Sequence, residues 1–207
     1  MKGRGNAASL ASYLRLPLTS NITLPSSGTS VALGIDRPGL IILNAMIVAN
    51  QLTKQFDTFT AVNGISLQVP AGSVLALLGP NGAGKTTTIR MLTSILKPTS
   101  GWASVAGFDV VTQAEEVRRR VGVLTEHHGL YARMRSEEYL RYFGDLYGLA
   151  PQLTRERSLR LLEQFGLADA RDKRLGEYSK GMRQKLALIR VMLHDPDVLV
   201  LDEPTSA

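Results

Sequence analysis

The run Gly79-Pro80-Asn81-Gly82-Ala83-Gly84-Lys85-Thr86-Thr87 follows the apolar stretch Val74-Leu75-Ala76-Leu77-Leu78 directly, and no other feature constrains the fold of this chain as much. Its spacing, G-x-x-x-x-G-K-T, is that of a phosphate-binding loop. Glycines let backbone N–H groups close around phosphate oxygens, Lys85 reaches the terminal phosphates, and the Thr86 hydroxyl is placed to ligate Mg²⁺. The flanks agree with this reading. Val74 to Leu78 reads as a buried strand, and Ile89, Leu92 and Leu96 recur at helical spacing, so a helix N-terminus points its N–H groups at the phosphates. A plain glycine-rich turn between strand and helix would leave the Lys-Thr pair without a role.

A strand–loop–helix unit of this kind belongs to an α/β domain, and 207 residues supply one large domain with a sizeable core. Hydrophobic residues at 44% and charged residues at 20% exclude a disordered chain. The net charge of +6 is spread over Arg118-Arg119-Arg120, Arg155-Glu156-Arg157 and Arg171-Asp172-Lys173-Arg174, which reads as a solvated surface; nucleic acid is not expected as a partner. The absence of cysteine excludes a disulfide framework and any Cys-based metal site, and fits a reducing compartment. The most apolar stretch, Gly39 to Val48, is about half the length of a spanning helix and holds Asn44. A membrane role therefore needs a partner that supplies the span.

Residues 1–45 differ in kind from the rest. They carry no acid before Asp36 and a Ser/Thr/Gly/Pro-rich tract around Pro25-Ser26-Ser27-Gly28, so they read as a disordered extension, or as the product of an upstream start that is not used, with a transit peptide as the weaker alternative. From Met46 onward the pattern predicts strands at Ile47–Leu52, Ala61–Val69 and Val74–Leu78, and a helix at Thr86–Leu96. A strand at Ala103–Ala106, a short helix at Thr112–Arg120 and a buried strand at Val121–Leu124 come next. Helices follow: one capped by Ser136 with Leu140, Phe143 and Tyr147 on one face, one at Arg155–Phe165 stopped by Gly166, and an amphipathic one at Gly181–His194. Val198–Leu201 is the last buried strand.

Two further motifs carry chemistry. The last strand delivers Asp202-Glu203 at its C-terminal end, the edge where open α/β sheets place ligands. Paired acids after four aliphatic residues are costly unless a cation or a reaction uses them: Asp202 suits Mg²⁺, and Glu203 suits polarising a water for in-line attack on a γ-phosphate. The second motif, Tyr178-Ser179-Lys180-Gly181-Met182-Arg183-Gln184, opens the amphipathic helix, so a serine hydroxyl and free backbone N–H groups sit at a positive helix end. In isolation this is an ordinary cap. Shortly before the Asp202-Glu203 strand, it reads as a second anion site.

With these three motifs in this order, the segment from Met46 to Ala207 resembles the nucleotide-binding subunit of an ATP-binding cassette transporter. The family's signature is usually L-S-G-G-Q; here Tyr178, Lys180 and Met182 replace three of its five residues while Ser179 and Gly181 remain. The Y-S-K-G-M-R-Q form resembles subunits that serve drug, sodium or polysaccharide exporters and pair with a separate membrane protein. The resemblance implies a P-loop NTPase with a mixed or parallel central sheet, an antiparallel β subdomain and a helical subdomain at about 127–180.

As implied by the resemblance, ATP and Mg²⁺ are the ligands, and Gly79 to Thr87 hold the triphosphate. Phe56 aligns with the aromatic that stacks on adenine, although Phe59 competes for the role. Glu126 stands where the family usually has a glutamine that contacts Mg²⁺ and senses the transmembrane partner; His127 and His128 read as surface residues. Glu203 and Lys85 are the catalytic pair, with Thr86, Asp202 and Glu126 around the metal. The implied partners are a multi-span permease and a second ATPase subunit, identical or not, packed head to tail, so that Ser179 and Gly181 of one close on the triphosphate of the other. The implied location is the inner face of the cell membrane. Family members continue beyond the Pro204-Thr205-Ser206-Ala207 tail with Leu-Asp and a histidine-bearing strand, so the expectation is a cassette incomplete at its C-terminus, in which nucleotide binding is firmer than turnover. A soluble cassette ATPase acting on nucleic acid or ribosomes, and a fragment that binds ATP without efficient turnover, are the rival readings.

Overall fold

The computed structural model describes residues 20–23, 45–125 and 129–201. By its contacts the chain divides into two compact units, Met1–Arg118 and Arg119–Ala207.

The first unit is built around a long hairpin. Strands β2 (Ala45–Phe56) and β3 (Phe59–Pro70) pair antiparallel, and β5 (Ser100–Val105) and β6 (Phe108–Asp109) extend the sheet in the order β3-β2-β5-β6. Along β3 the inward residues Ile65, Leu67 and Val69 alternate as a half-buried strand requires. Val62 is also buried, one residue out of phase, because Gly64 at φ 62° lets the strand bulge and returns the inner face to the core. A second irregularity in β2 faces Gly101, whose φ is 77° and where a Cβ would fall on the Gln51 carbonyl.

Strand β4 (Leu75–Leu78) leads to the phosphate loop and to helix α1 (Lys85–Leu92). Thr88, Met91 and Leu92, at i, i+3 and i+4, are the buried stripe of α1, which contacts β3 and β5. The helix stops four residues before the predicted Leu96. Ser94 takes a left-handed conformation, φ 57°, and the N–H groups of Ile95 and Leu96 both return to the Arg90 carbonyl at 2.9 Å. Strand β1 (Ser20–Thr23), within the stretch read from sequence as an extension, runs parallel to β4 with Ser20 beside Leu75 and Thr23 beside Leu78. Helix α2 (Ala114–Arg120) carries the chain across the boundary between the units.

The second unit opens with β7 (Val121–Leu124), which pairs parallel with β8 (Val198–Leu201) in register from Val121↔Val198 to Leu124↔Leu201. Helices α3 (Ser136–Leu146), α4 (Pro151–Gln164) and α5 (Lys180–Met192) complete it. Gly122 in β7 is where a Cβ would meet the side chain and carbonyl of Val191, so only glycine lets α5 lie this close to the strand. Helix α5 buries Leu186, Ala187, Leu188, Ile189 and Val191; at about 1.5–3 kcal/mol per large apolar side chain, packing rather than capping holds it.

Helix boundaries in the second unit also differ from the sequence expectation. Ser136 is the first helical residue of α3 rather than its cap: Arg135 is the N-cap, and its N–H is taken by Glu138 Oε2 at 2.8 Å. Helix α4 starts at Pro151, not Arg155, because proline's fixed φ and missing N–H suit the first helical position. Helix α5 ends at Met192, short of His194. The stop at Gly166, φ 66°, is as predicted, with the Leu167 N–H closing on the Leu162 carbonyl at 2.7 Å.

Candidate functional site

In the first unit the loop between β4 and α1 is shaped by its glycines. Gly82 and Gly84 have φ of 81° and 83°, and a Cβ on Gly84 would strike the Ala61 carbonyl and the Val62 side chain. The loop therefore lies against β3 at a point where only glycine fits. Gly84 is also the N-cap of α1; its carbonyl accepts the Thr88 N–H at 2.8 Å and the Thr88 hydroxyl at 2.9 Å. The first-turn N–H groups of a helix have no acceptor within it, and no acidic side chain stands in the first turn of α1. Those donors, with Thr86 and Thr87 beside them, suit an anion.

Lys85 folds back over this loop. Its Nζ donates to the carbonyls of Gly79 and Pro80, each at 2.9 Å, which places the ammonium at the loop's mouth. Pro80 also accepts the Ala83 N–H at 3.2 Å, so Pro80 to Ala83 form a closed turn around Asn81 and Gly82.

Phe56 and Phe59 face each other in register at the end of the β2–β3 hairpin, 44% and 62% exposed. Lys54 Nζ lies 5.0 Å from the Phe56 ring centroid, so one face of that ring carries a cation. Phe59 is two residues from Ala61, roughly 7 Å along a strand, which brings the hairpin end near the loop at Gly84. Both aromatics remain open to a flat ligand.

In the second unit Ser179 caps α5, as its sequence position predicts: φ −62°, ψ 163°, with Oγ accepting the Met182 N–H at 3.3 Å. The first turn of α5 holds no acid. Gly181 is unlike the loop glycines. A Cβ built on it meets nothing within 4 Å, so the fold of this chain has no steric need for glycine there, although glycine costs a helix up to ~1 kcal/mol relative to alanine. Tyr178, 2% exposed, precedes the cap and donates its hydroxyl to the Ala170 carbonyl at 2.9 Å. Burial raises this phenol above its ordinary pKa, the Ser136 hydroxyl acting in the opposite sense, so it stays a neutral donor. In the sequence Tyr178 stands out only as a departure from the family's leucine. Its main-chain acceptor leaves no sequence signal.

Strands β7 and β8 end side by side, Leu124 next to Leu201. Glu126 follows the first by two residues; Asp202 and Glu203 follow the second directly. All three carboxylates lie outside the described residues, as do His127 and His128. A groove of about 420 Å³ on α3 is lined by Met134, Glu138, Arg141, Tyr142 and Asp145. Among the described residues no helix is long and apolar enough to cross a membrane. The longest of them, α4, has 14 residues.

Comparison with known proteins bears on the same elements. The ABC transporter family model matches residues 62–206. The ABC transporter ATP-binding protein NatA of Bacillus subtilis (strain 168) is 48% identical over 166 residues, 78% of this chain and 68% of NatA. The daunorubicin/doxorubicin resistance ATP-binding protein DrrA of Streptomyces peucetius is 44% identical over 77% of this chain and 48% of its own length. The probable multidrug ABC transporter ATP-binding protein YbhF of Escherichia coli (strain K12) is 40% identical over 78% of this chain and 28% of its own length. The chain thus spans about half of DrrA and under a third of YbhF. A solved structure of an ATP-binding subunit of an ABC transporter superposes with a TM-score of 0.69 at 29% identity, covering 78% of this chain and 67% of that one.

Proposed function

This chain belongs to the ABC transporter family of ATP-binding proteins, and from that premise we propose that it is the ATP-hydrolysing subunit of an exporter, working on a separate membrane permease. The drug-resistance and multidrug names of DrrA and YbhF support the direction of transport. Residues 46–207 are the cassette, with its helical part at about 127–180.

The observation that carries the reading is the placement of Lys85 over the Gly79 and Pro80 carbonyls, at the mouth of a loop whose glycines hold it against β3. Entry of a triphosphate gives the ammonium a charged acceptor in place of two neutral ones, and the first-turn N–H groups of α1 take the remaining oxygens. Phe56 stacks on the base; stacking has little base preference, so other nucleoside triphosphates bind as well. The Thr86 hydroxyl and the carboxylates of Asp202 and Glu126 are hard oxygen donors of the kind Mg²⁺ takes. When bound, the ion neutralises charge on the β- and γ-phosphates. Glu203 accepts a proton from the attacking water, and Lys85 stabilises charge on the transferring phosphoryl group.

Ser179 and the open first turn of α5 meet the triphosphate held by a second copy of this chain, packed head to tail. Gly181 supports this: a glycine its own fold does not need leaves room for a group from outside. ATP is then part of the interface, and its cleavage reopens it. The permease docks near Glu126 and the helices that follow, which places the subunit on the inner face of the membrane.

The test is a set of three chains: the unsubstituted one, Lys85→Ala and Glu203→Gln. Support requires that Glu203→Gln keeps ATP affinity, loses turnover by ~10²-fold and self-associates with ATP, while Lys85→Ala loses affinity. ATP affinity indifferent to Lys85, or a Glu203→Gln chain that stays monomeric in saturating ATP, overturns the reading.

A further inference from the structure

The segment that leads into α5 is clamped from several sides. The Leu175 N–H donates to the Met134 carbonyl and the Gly176 N–H to the Ala132 carbonyl, each at 2.9 Å, and Arg135 and Arg174 form an antiparallel bridge. From within α5 the Arg183 guanidinium reaches back to the Gly176 carbonyl at 3.0 Å. Beneath this ladder lies a small polar cluster. The Tyr178 hydroxyl donates to the Ala170 carbonyl at 2.9 Å, and the neighbouring Arg171 carbonyl accepts from Ser136 Oγ at 3.1 Å. Ser136 is fully buried and is the first residue of α3.

Ser179 itself is held only weakly by its own cap. Its bond to the Met182 N–H, at 3.3 Å, is beyond the usual 2.7–3.2 Å range for such bonds. The residue before it is the opposite case: a fully packed ring with a directional, buried hydrogen bond. A leucine at this position fills space but has no group with which to fix a rotation. A tyrosine ties the residue just before the α5 cap to the Ala168–Ala170 turn.

We propose that Tyr178 is a positioning residue for Ser179, its hydroxyl bond to the Ala170 carbonyl fixing the angle at which the start of α5 meets the second copy's triphosphate. The inference rests on the reading of Ser179 given above. Tyr178 touches no nucleotide. It acts through Ser179, and so its loss leaves the phosphate loop of the same chain untouched.

The test uses the full chain carrying Glu203→Gln, alone and with Tyr178→Phe, Ser179→Ala or both, followed by fluorescent-nucleotide titration and ATP-driven self-association in the ultracentrifuge. At chain concentrations too low for association, where only the phosphate loop of the same chain holds the nucleotide, all four chains are expected to bind it within about twofold of one another. Tyr178→Phe should weaken ATP-driven association about tenfold, the scale of one buried hydrogen bond, and the double variant should be no weaker than Ser179→Ala alone. An unchanged association constant in Tyr178→Phe, or a double variant weakened by the product of the two single effects, overturns the proposal. An unaffected Ser179→Ala chain overturns the reading of Ser179, and the proposal with it. Should Tyr178→Phe melt at a much lower temperature, Tyr178→Leu, which keeps an apolar plug, is held to the same pattern.

Discussion

Lys85 Nζ donates to the Gly79 carbonyl at 2.9 Å across a loop that its own helix terminates, so the site's cation and its backbone donors share one small turn. Lys85→Ala removes a charged donor and leaves Gly84, with its contacts to Ala61 and Val62, in place. ATP affinity should fall at least about tenfold, the scale of a hydrogen bond to a charged group, while the melting temperature moves little. Titration with a fluorescent ATP analogue alongside thermal melting checks both halves.

Gly84 and Gly181 should answer the same substitution with opposite signs. Gly84→Ala forces a side chain into a left-handed φ of 83° and onto the Ala61 carbonyl, so stability should fall by ~1–3 kcal/mol and nucleotide binding with it. Gly181→Ala places a methyl in open space on a helix and should stabilise the chain by up to ~1 kcal/mol. ATP-driven self-association should nonetheless weaken, because the methyl occupies room that a second copy's triphosphate needs. Urea unfolding and sedimentation in ATP measure the two effects separately.

Phe56 and Phe59 are separable by affinity. Lys54 already lies over one face of Phe56, so a base has the other face to stack on. Phe56→Ala should weaken ATP and GTP alike by roughly tenfold, the scale of base–aromatic stacking, and Phe59→Ala should stay within twofold. The reverse ranking in the same titration assigns the stacking role to Phe59.

Most of the elements were legible because their signals are local. The strand–loop–helix at Leu75–Leu92, the cap at Ser179 and the stop at Gly166 each depend on residues a few positions apart. Distant partners were not legible. The end of α1 depends on Ser94 adopting a left-handed conformation, and serine at that position carries no such signal. The start of α4 at Pro151, four residues ahead of the Arg155 that the sequence reading gives, follows from the fixed φ of proline at a first helical position. The hydrogen bond from Tyr178 runs to a main-chain carbonyl in a turn, which no side chain announces. The resemblance puts Phe56 ahead of Phe59 as the stacking residue, whereas the hairpin register sets both at one end. The parallel pairing of β1 with β4 is likewise a long-range contact, from a stretch whose Ser/Thr-rich composition reads as loop.

His194 should make the stability of the second unit pH-dependent near neutrality. Its ring stacks on Tyr147 at 4.0 Å between centroids, and both ring nitrogens are buried without a well-formed hydrogen bond. Burial holds its pKa below the ordinary value of 6.5, and the Arg157 guanidinium acts in the same direction; the Val121 backbone and the Asp195 carboxylate oppose them. In the unfolded chain the imidazole takes up a proton near pH 6.5, whereas the folded chain resists it to lower pH. Between those two values the unfolded state binds more protons, so stability rises with pH. The contribution is complete above the unfolded value and is lost as pH falls through 6.5 toward the folded value. Asp109 does not obscure this. Its carboxylate, held below 3.8 by the backbone N–H groups of Thr112 and Val111, loses its contribution only in stronger acid. His194→Phe keeps a ring against Tyr147 and removes two orphaned nitrogens, so it should match or exceed the parent chain at pH 7.5. Urea unfolding from pH 7.5 to 5 should then show the parent chain losing more stability than the variant; parallel pH profiles would remove His194 as the cause.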